Sequence, residues 1–141
     1  MGYGEGVAFP FPYECAVTRW TQIAGFAAIL FFALAINNDV YALTSPYQLE
    51  WHLVLRKTYS IVAFAIVGYC VRRAFDDHRR TRAVWLNVAA LAAYSGLIEL
   101  VQAVGGSHEG LAWNAVDVAC GAIGGFIGDR VLRLQQRSRG T

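Results

Sequence analysis

The sequence predicts an all-α membrane protein: a bundle of four transmembrane helices with both termini on the cytoplasmic side. Three observations lead there. Of the 141 residues, 56% are hydrophobic and 16% charged, and mean hydropathy is +0.38, whereas a soluble domain carries about 25% charged residues. The apolar residues gather into four runs, and about 17 to 25 residues suffice to cross a hydrocarbon core. The basic residues flank those runs: of twelve Lys and Arg, five fall between Arg72 and Arg82 and four between Arg130 and Arg139. Basic loops stay in the cytoplasm, so two basic segments on one side require an even number of spans.

The chain divides into an irregular arm (residues 1–18), a four-helix transmembrane domain (19–130) and a basic cytoplasmic tail (131–141). The arm, "MGYGEGVAFPFPYECAVT", is rich in Gly, Pro and aromatics and has no helical period. Phe9, Phe11 and Tyr13 are placed to lie at the membrane interface or against a partner. The first span runs from about Trp20 to Ile36 and stops at "NND". Arg19 ahead of it and Ala33-Leu34-Ala35 within it also fit a secretory signal, but the run is read as a membrane helix.

For the second helix, "SPYQ" offers Ser45 as N-cap, Pro46 at the first helical position and Gln48 three residues after the cap. On this reading Pro46 to Lys57 is an interfacial extension, with Arg56 and Lys57 snorkelling to the outer headgroups, and the membrane part follows from Thr58 to Val71. The third span covers Ala83 to Val104 and the fourth runs from about Ala112 to Gly128. Cys15, Cys70 and Cys120 lack any short metal spacing such as CxxC, and are expected to act as small apolar side chains. "HE" at His108 has no second histidine at the HExxH spacing. No metal site and no cofactor are predicted, and a net charge of +2 spread over membrane-flanking loops gives no case for nucleic acid.

Polar residues inside the spans carry the functional interest. Glu99 lies 17 residues beyond Arg82, roughly 25 Å at about 1.5 Å per residue, which places it in the outer third of a core roughly 30 Å thick. By the same rise Asp117 lies roughly 20 Å from Arg130, also toward the outside and on the next helix of a short hairpin. Ala92, Ser95, Gly96, Glu99 and Gln102 share one helical stripe. On the fourth helix Asp117, Gly121, Gly124 and Gly128 share another. Gly121 with Gly125, and Gly124 with Gly128, form overlapping GxxxG spacings that predict close helix packing.

Two readings of the carboxylates stay open. In one they are structural, bonded to Gln102, Ser95 or Asn114. In the other Glu99, Gln102 and Asp117, with a cation from Arg56 or Lys57, form a polar pocket open to the outside that binds a headgroup, ion or envelope fragment, since intramembrane ionisable groups are functional candidates by default.

A glutamate followed three residues later by glutamine, a loop, and an aspartate opening a Gly-rich helix resemble the VanZ-like family of small four-helix membrane proteins. The elements here are Glu99, Gln102 and Asp117, then Gly124 and Gly128, and Arg56/Lys57 resemble the family's Asp-Lys start to its second span. The likeness covers roughly Leu55 to Gly128. Ser60 stands where the family usually has histidine, Gly121 where it has asparagine, and Gly105 to Ala112 hold no arginine.

The resemblance implies a multi-pass protein of the bacterial inner membrane with an outward polar cluster, in contact with membrane lipids and more binding than catalytic. An enzymatic variant, with the carboxylates as acid and base, names no reaction. The alternative is an accessory structural subunit of a larger integral complex, respiratory or photosynthetic, which the aromatic arm and the missing family residues favour. A channel is disfavoured, because one shallow polar cluster provides no path to the other side.

Overall fold

Proline at the first turn of a helix sacrifices nothing, because the N–H it lacks is one that turn leaves unpaired. Among the described residues α1 runs over Pro12–Ala35. This corrects the expected arm, which reached residue 18: no Gly or Pro interrupts residues 13–24, so the apolar span simply extends toward the N-terminus. The computed structural model describes residues 12–37, 39–40, 43, 51–75, 81–105 and 111–139. Phe9 and Phe11, the Ser45 cap and the Pro46 start lie outside them.

Past α1, the Asn37 side chain accepts hydrogen bonds from the N–H groups of Asp39 (2.9 Å) and Val40 (3.2 Å), as a helix-capping Asn does. Helix α2 is His52–Ala74, with Trp51 at its N-cap and no side-chain cap there. It ends on Arg72 and Arg73, where positive charge suits the negative pole of the helix. Helix α3 is Thr81–Val104 and closes on a hydrogen bond from Gly105 N–H to the Val101 carbonyl. Helix α4, Leu111–Arg139, is the longest. It continues through most of the stretch expected as a basic tail, and Leu132 within that stretch is 1% exposed.

The described residues form a four-helix bundle in which α4 packs most extensively on α2 and α3, and α1 lies against α2. Pairings fix the directions. Lys57 with Asp117 and Arg72 with Asp129 make α2 and α4 parallel, while Ser95 with Asp117 and Asn87 with Gly125 make α3 and α4 antiparallel. Phe64, Val67, Leu91 and Ile98 form the core. Edge-on contacts extend it, from Phe64 to Phe31 at 5.0 Å and to Tyr94 at 6.1 Å, a favourable arrangement of ring quadrupoles.

Glycines set how close α4 comes. A Cβ on Gly128 would sit 2.5 Å from the Ala65 carbonyl oxygen and one on Gly124 would strike the Phe64 Cβ, both on α2. One on Gly121 would sit 2.6 Å from the Leu91 carbonyl oxygen of α3, and one on Gly125 3.2 Å from the Leu91 Cβ. The two GxxxG spacings therefore serve two different neighbours: Gly124 and Gly128 admit α2, Gly121 and Gly125 admit α3. The stripe read as one face lies over the seam between them.

The distribution of polarity is inverted relative to a soluble protein. Lys57, Arg72, Asn87, Ser95, Asp117 and Asp129 are buried, while Phe26, Ile29, Trp85, Leu86 and Leu100 are each more than 60% exposed. Each large apolar side chain left in water forgoes roughly 1.5–3 kcal/mol, and an outer surface of this kind suits hydrocarbon. Val54–Ala74 (21 residues) and Arg82–Val104 (23 residues) are long and apolar enough to cross a membrane, and only 22% and 28% of their apolar windows are buried inside the bundle. A core helix of a soluble protein is mostly buried. Arg19–Ala35 is a shorter apolar helix.

Candidate functional site

Asp117 is 5% exposed on the first turns of α4, and its carboxylate faces α2. Lys57 Nζ donates to Asp117 Oδ2 at 2.5 Å, and Arg56 Nη2 approaches the same oxygen at 3.5 Å. At such distances Lys57 is the primary partner and Arg56 a flanking charge. Lys57 is itself 8% exposed, and its ammonium lies 5.6 Å from the centre of the Trp113 ring, within cation–π range. Lys57 thus points into the bundle, which corrects the expectation that it snorkels outward. The reason is the carboxylate across the seam: an ammonium held by a buried anion and an aromatic face loses less than one left without them.

Ser95 Oγ donates to the backbone carbonyl of Asp117 at 2.8 Å, so α3 holds the backbone of the residue whose side chain α2 holds. Ser95 was one of three candidate partners for the carboxylates on the structural reading, and its hydroxyl takes the Asp117 main chain. Gln102 Nε2 donates to the Ala35 carbonyl at 2.7 Å. Ala35 ends α1, where carbonyls lack intrahelical donors, so Gln102 closes the end of α1 from α3. Tyr94 repeats the linkage lower down, its hydroxyl donating to the Ala28 carbonyl at 2.5 Å.

Between these tethers lies a pocket of about 310 Å³, reached by residues of all four helices. Arg56, Glu99, Gln102 and Asp117 line it, with Tyr59 and Ser60. Its remaining walls are largely apolar, including Phe31, Leu34, Phe64 and Ile98. Four of the five residues singled out in the sequence thus share one cavity. The fifth, Lys57, neutralises Asp117 from the seam side. Asn114, also considered there, is half-buried one turn before Asp117, and its Oδ1 has no hydrogen-bond partner. The chemistry on offer is a mixed-charge polar end against an apolar wall, as an amphiphilic ligand requires.

A second ionic cluster lies at the other end of the α2–α4 seam. Arg72 Nε donates to Asp129 Oδ1 at 2.7 Å and Arg133 Nε to Asp129 Oδ2 at 2.8 Å, with Asp129 1% exposed. Beside it Arg73 donates to the Tyr69 hydroxyl and to Gln135 Oε1, and its guanidinium stacks 4.7 Å from the Trp20 ring. Sequence reading took Arg72 as a loop-flanking charge and did not single out Asp129. The signal available was register: Arg72 follows Lys57 by roughly four turns and Asp129 follows Asp117 by roughly three, so parallel helices bring both ends into pairing range. Among the described residues, no group of three or more His, Cys, Asp and Glu could hold a metal ion.

In comparisons with protein-family models, curated proteins and solved structures, none matches this chain.

Proposed function

We propose that the protein is a VanZ-like, non-catalytic membrane protein of the bacterial inner membrane that holds an amphiphile, a lipid or an envelope component, in the pocket between Arg56, Glu99 and Asp117. The observation that carries the reading is the pocket's composition: the Glu99, Gln102 and Asp117 pattern that resembles the family meets Arg56 at one apolar-walled cavity. On this reading all four helices cross the bilayer. The basic segments near Arg72–Arg82 and Arg130–Arg139 face the cytoplasm, and the pocket lies toward the outer leaflet. Arg56, Glu99, Gln102 and Asp117 together supply the polar end of the cavity.

The test fills the pocket without touching its charges. Ala63 lines the cavity, and Ala63→Trp should abolish retention of a copurifying lipid, read by mass spectrometry of protein purified in mild detergent, while helical content is kept. Lipid retained equally by the variant rejects the reading. The alternative, an accessory subunit seated on a larger membrane assembly, takes support from the outward apolar side of α1, where Phe26 is 68% and Ile29 71% exposed. Migration of the protein with larger subunits after the same mild extraction would favour it, and migration alone counts against it.

A further inference from the structure

We infer that the strip of α2 lying between Trp20 of α1 and Gln135 of α4 binds one anionic phospholipid, its phosphate on the Nε–Nη2 edge of Arg73 and an acyl chain along Ile66 and Val62. The inference rests on the reading that the helices cross a bilayer, and it adds a site separate from the pocket. Its first support is level. The apolar stretch Val54–Ala74 of α2 ends beside Arg73, and the apolar stretch Arg19–Ala35 of α1 begins beside Trp20. Trp20 lies against Tyr69 with ring centres 6.2 Å apart, so those two ends meet at one height, where a bilayer places its head groups. Arg19, exposed, stands there as well.

The second support is how Arg73 is held. Its Nη1 makes both of its hydrogen bonds, to the Tyr69 hydroxyl at 3.2 Å and to Gln135 Oε1 at 3.3 Å, and the Tyr69 hydroxyl in turn donates to Gln135 Oε1 at 2.6 Å. The guanidinium also stacks 4.7 Å from the centre of the Trp20 ring. All three partners are neutral, so the charge is fixed in place without being cancelled. Among the described residues, Nε and Nη2 of Arg73 take no hydrogen bond and neither is enclosed. Those two nitrogens form the fork that grips two phosphate oxygens at once. Arg72, one residue earlier, differs in that its Nε bonds Asp129.

The third support is the surface that leads away from the guanidinium. Val62, Ile66, Tyr69 and Arg73 follow one another at spacings of four, three and four, which puts them on one face of α2, and Val62 and Ile66 are 53% and 56% exposed. An acyl chain laid along them runs from the phosphate toward the middle of the span, a contact that inorganic phosphate cannot make. Charge sets the class of head group. Basic sites between helices at a membrane face favour anionic lipids, because a zwitterionic head carries its own cation to the same guanidinium.

The experiment offers the full chain, in detergent micelles, equimolar phosphatidylglycerol and phosphatidylcholine of matched acyl chains, with bound lipid read by native mass spectrometry. The unaltered protein should prefer one phosphatidylglycerol by roughly fivefold, the order that one basic residue contributes at an anionic surface. That preference should persist in Ala63→Trp, whose pocket is filled, and in Arg137→Gln, which alters an exposed arginine near the end of α4. Arg73→Gln should abolish it, and Arg73→Lys, which keeps the charge without the fork, should lose most of it. Circular dichroism in the same detergent checks that each variant is folded.

No preference in the unaltered protein, a preference lost in Ala63→Trp, or an unchanged preference in Arg73→Gln or Arg73→Lys overturns the inference. Displacement of the lipid by excess inorganic phosphate overturns the assignment to a lipid, and persistence against it supports that assignment. A preference that appears only after Asp76 and Asp77 are replaced by asparagine assigns the edge to loop carboxylates and overturns the inference too. Flotation with liposomes of phosphatidylcholine alone tests the membrane reading separately: flotation without the preference overturns this inference alone, and failure to float overturns both.

Discussion

Lys57 and Asp117, sixty positions apart in the chain, form a buried ion pair that joins α2 to α4 at the rim of the pocket. Removing one member of such a pair leaves the other as an uncompensated charge, at about 3–5 kcal/mol, while replacing both by apolar groups of similar size is often neutral. Asp117→Leu and Lys57→Met alone should therefore each lower stability by that order, and the double variant should recover most of the loss. Unfolding titrations in mixed micelles read all three. A double variant as unstable as the sum of the singles means that the pair is not coupled as the geometry shows.

The glycine contacts make a position-specific prediction. A Cβ at Gly124 or Gly128 meets α2 backbone or Cβ atoms, while a Cβ at Gly25 on α1 meets nothing within 4 Å. Gly128→Ala and Gly124→Ala force α4 away from α2 and should cost about 1–3 kcal/mol, as overpacking does. Gly25→Ala should be neutral or slightly stabilising, since alanine in a helix is favoured by up to about 1 kcal/mol. Thermal inactivation of the purified variants side by side checks the ordering. Equal behaviour of Gly25→Ala and Gly128→Ala would contradict the packing described.

How much of this was legible beforehand depends on what each residue had to reveal. Helical spacing put Glu99 and Gln102 on one face and Asp117 at the start of a Gly-rich helix, and those three do share a cavity. Periodicity could not say which helix faces each glycine, because a stripe lying over a seam touches two neighbours, and Gly121 and Gly124 divide between them. Lys57 was legible as one of two candidate cations for the cluster, but it was also placed as a snorkelling flank, because a hydropathy pattern treats a basic residue beside an apolar run as a flank. The partner that turns it inward lies on a helix sixty residues on, and the same blindness hid Arg72 with Asp129. Gln102 was legible as polar and inward, but its acceptor is a main-chain carbonyl of α1, which no side-chain pattern advertises.

Topology offers a direct test of the proposed orientation. Asn37 and Ser138 are exposed at opposite ends of the described bundle, near the ends of α1 and α4. With the native cysteines replaced, Asn37→Cys should react with a membrane-impermeant maleimide on intact cells, and Ser138→Cys only after the membrane is opened. The reverse pattern would invert the orientation, and labelling of both on intact cells would exclude the three spans proposed between them.

Asp129 gives the sharpest contrast between the two ionic clusters. It accepts from Arg72 and Arg133 through separate oxygens and is 1% exposed, with Arg72 2% exposed. No residue of that cluster lines the pocket, so its role here is to tie the continuing part of α4 to the end of α2. Asp129→Asn keeps the shape but removes the countercharge of two guanidinium groups, one of them deeply buried, and should destabilise by about 3–5 kcal/mol. Lipid retention by the folded fraction should be unchanged, because the pocket lies roughly 18 Å away along α4 at about 1.5 Å per residue. Ala63→Trp should do the opposite, abolishing lipid retention in the pocket while helical content is kept. Measuring unfolding and bound lipid on the same two preparations separates a residue that builds the bundle from one that serves the site. If Asp129→Asn abolished lipid retention in the pocket at full stability, the division between the two clusters would be wrong.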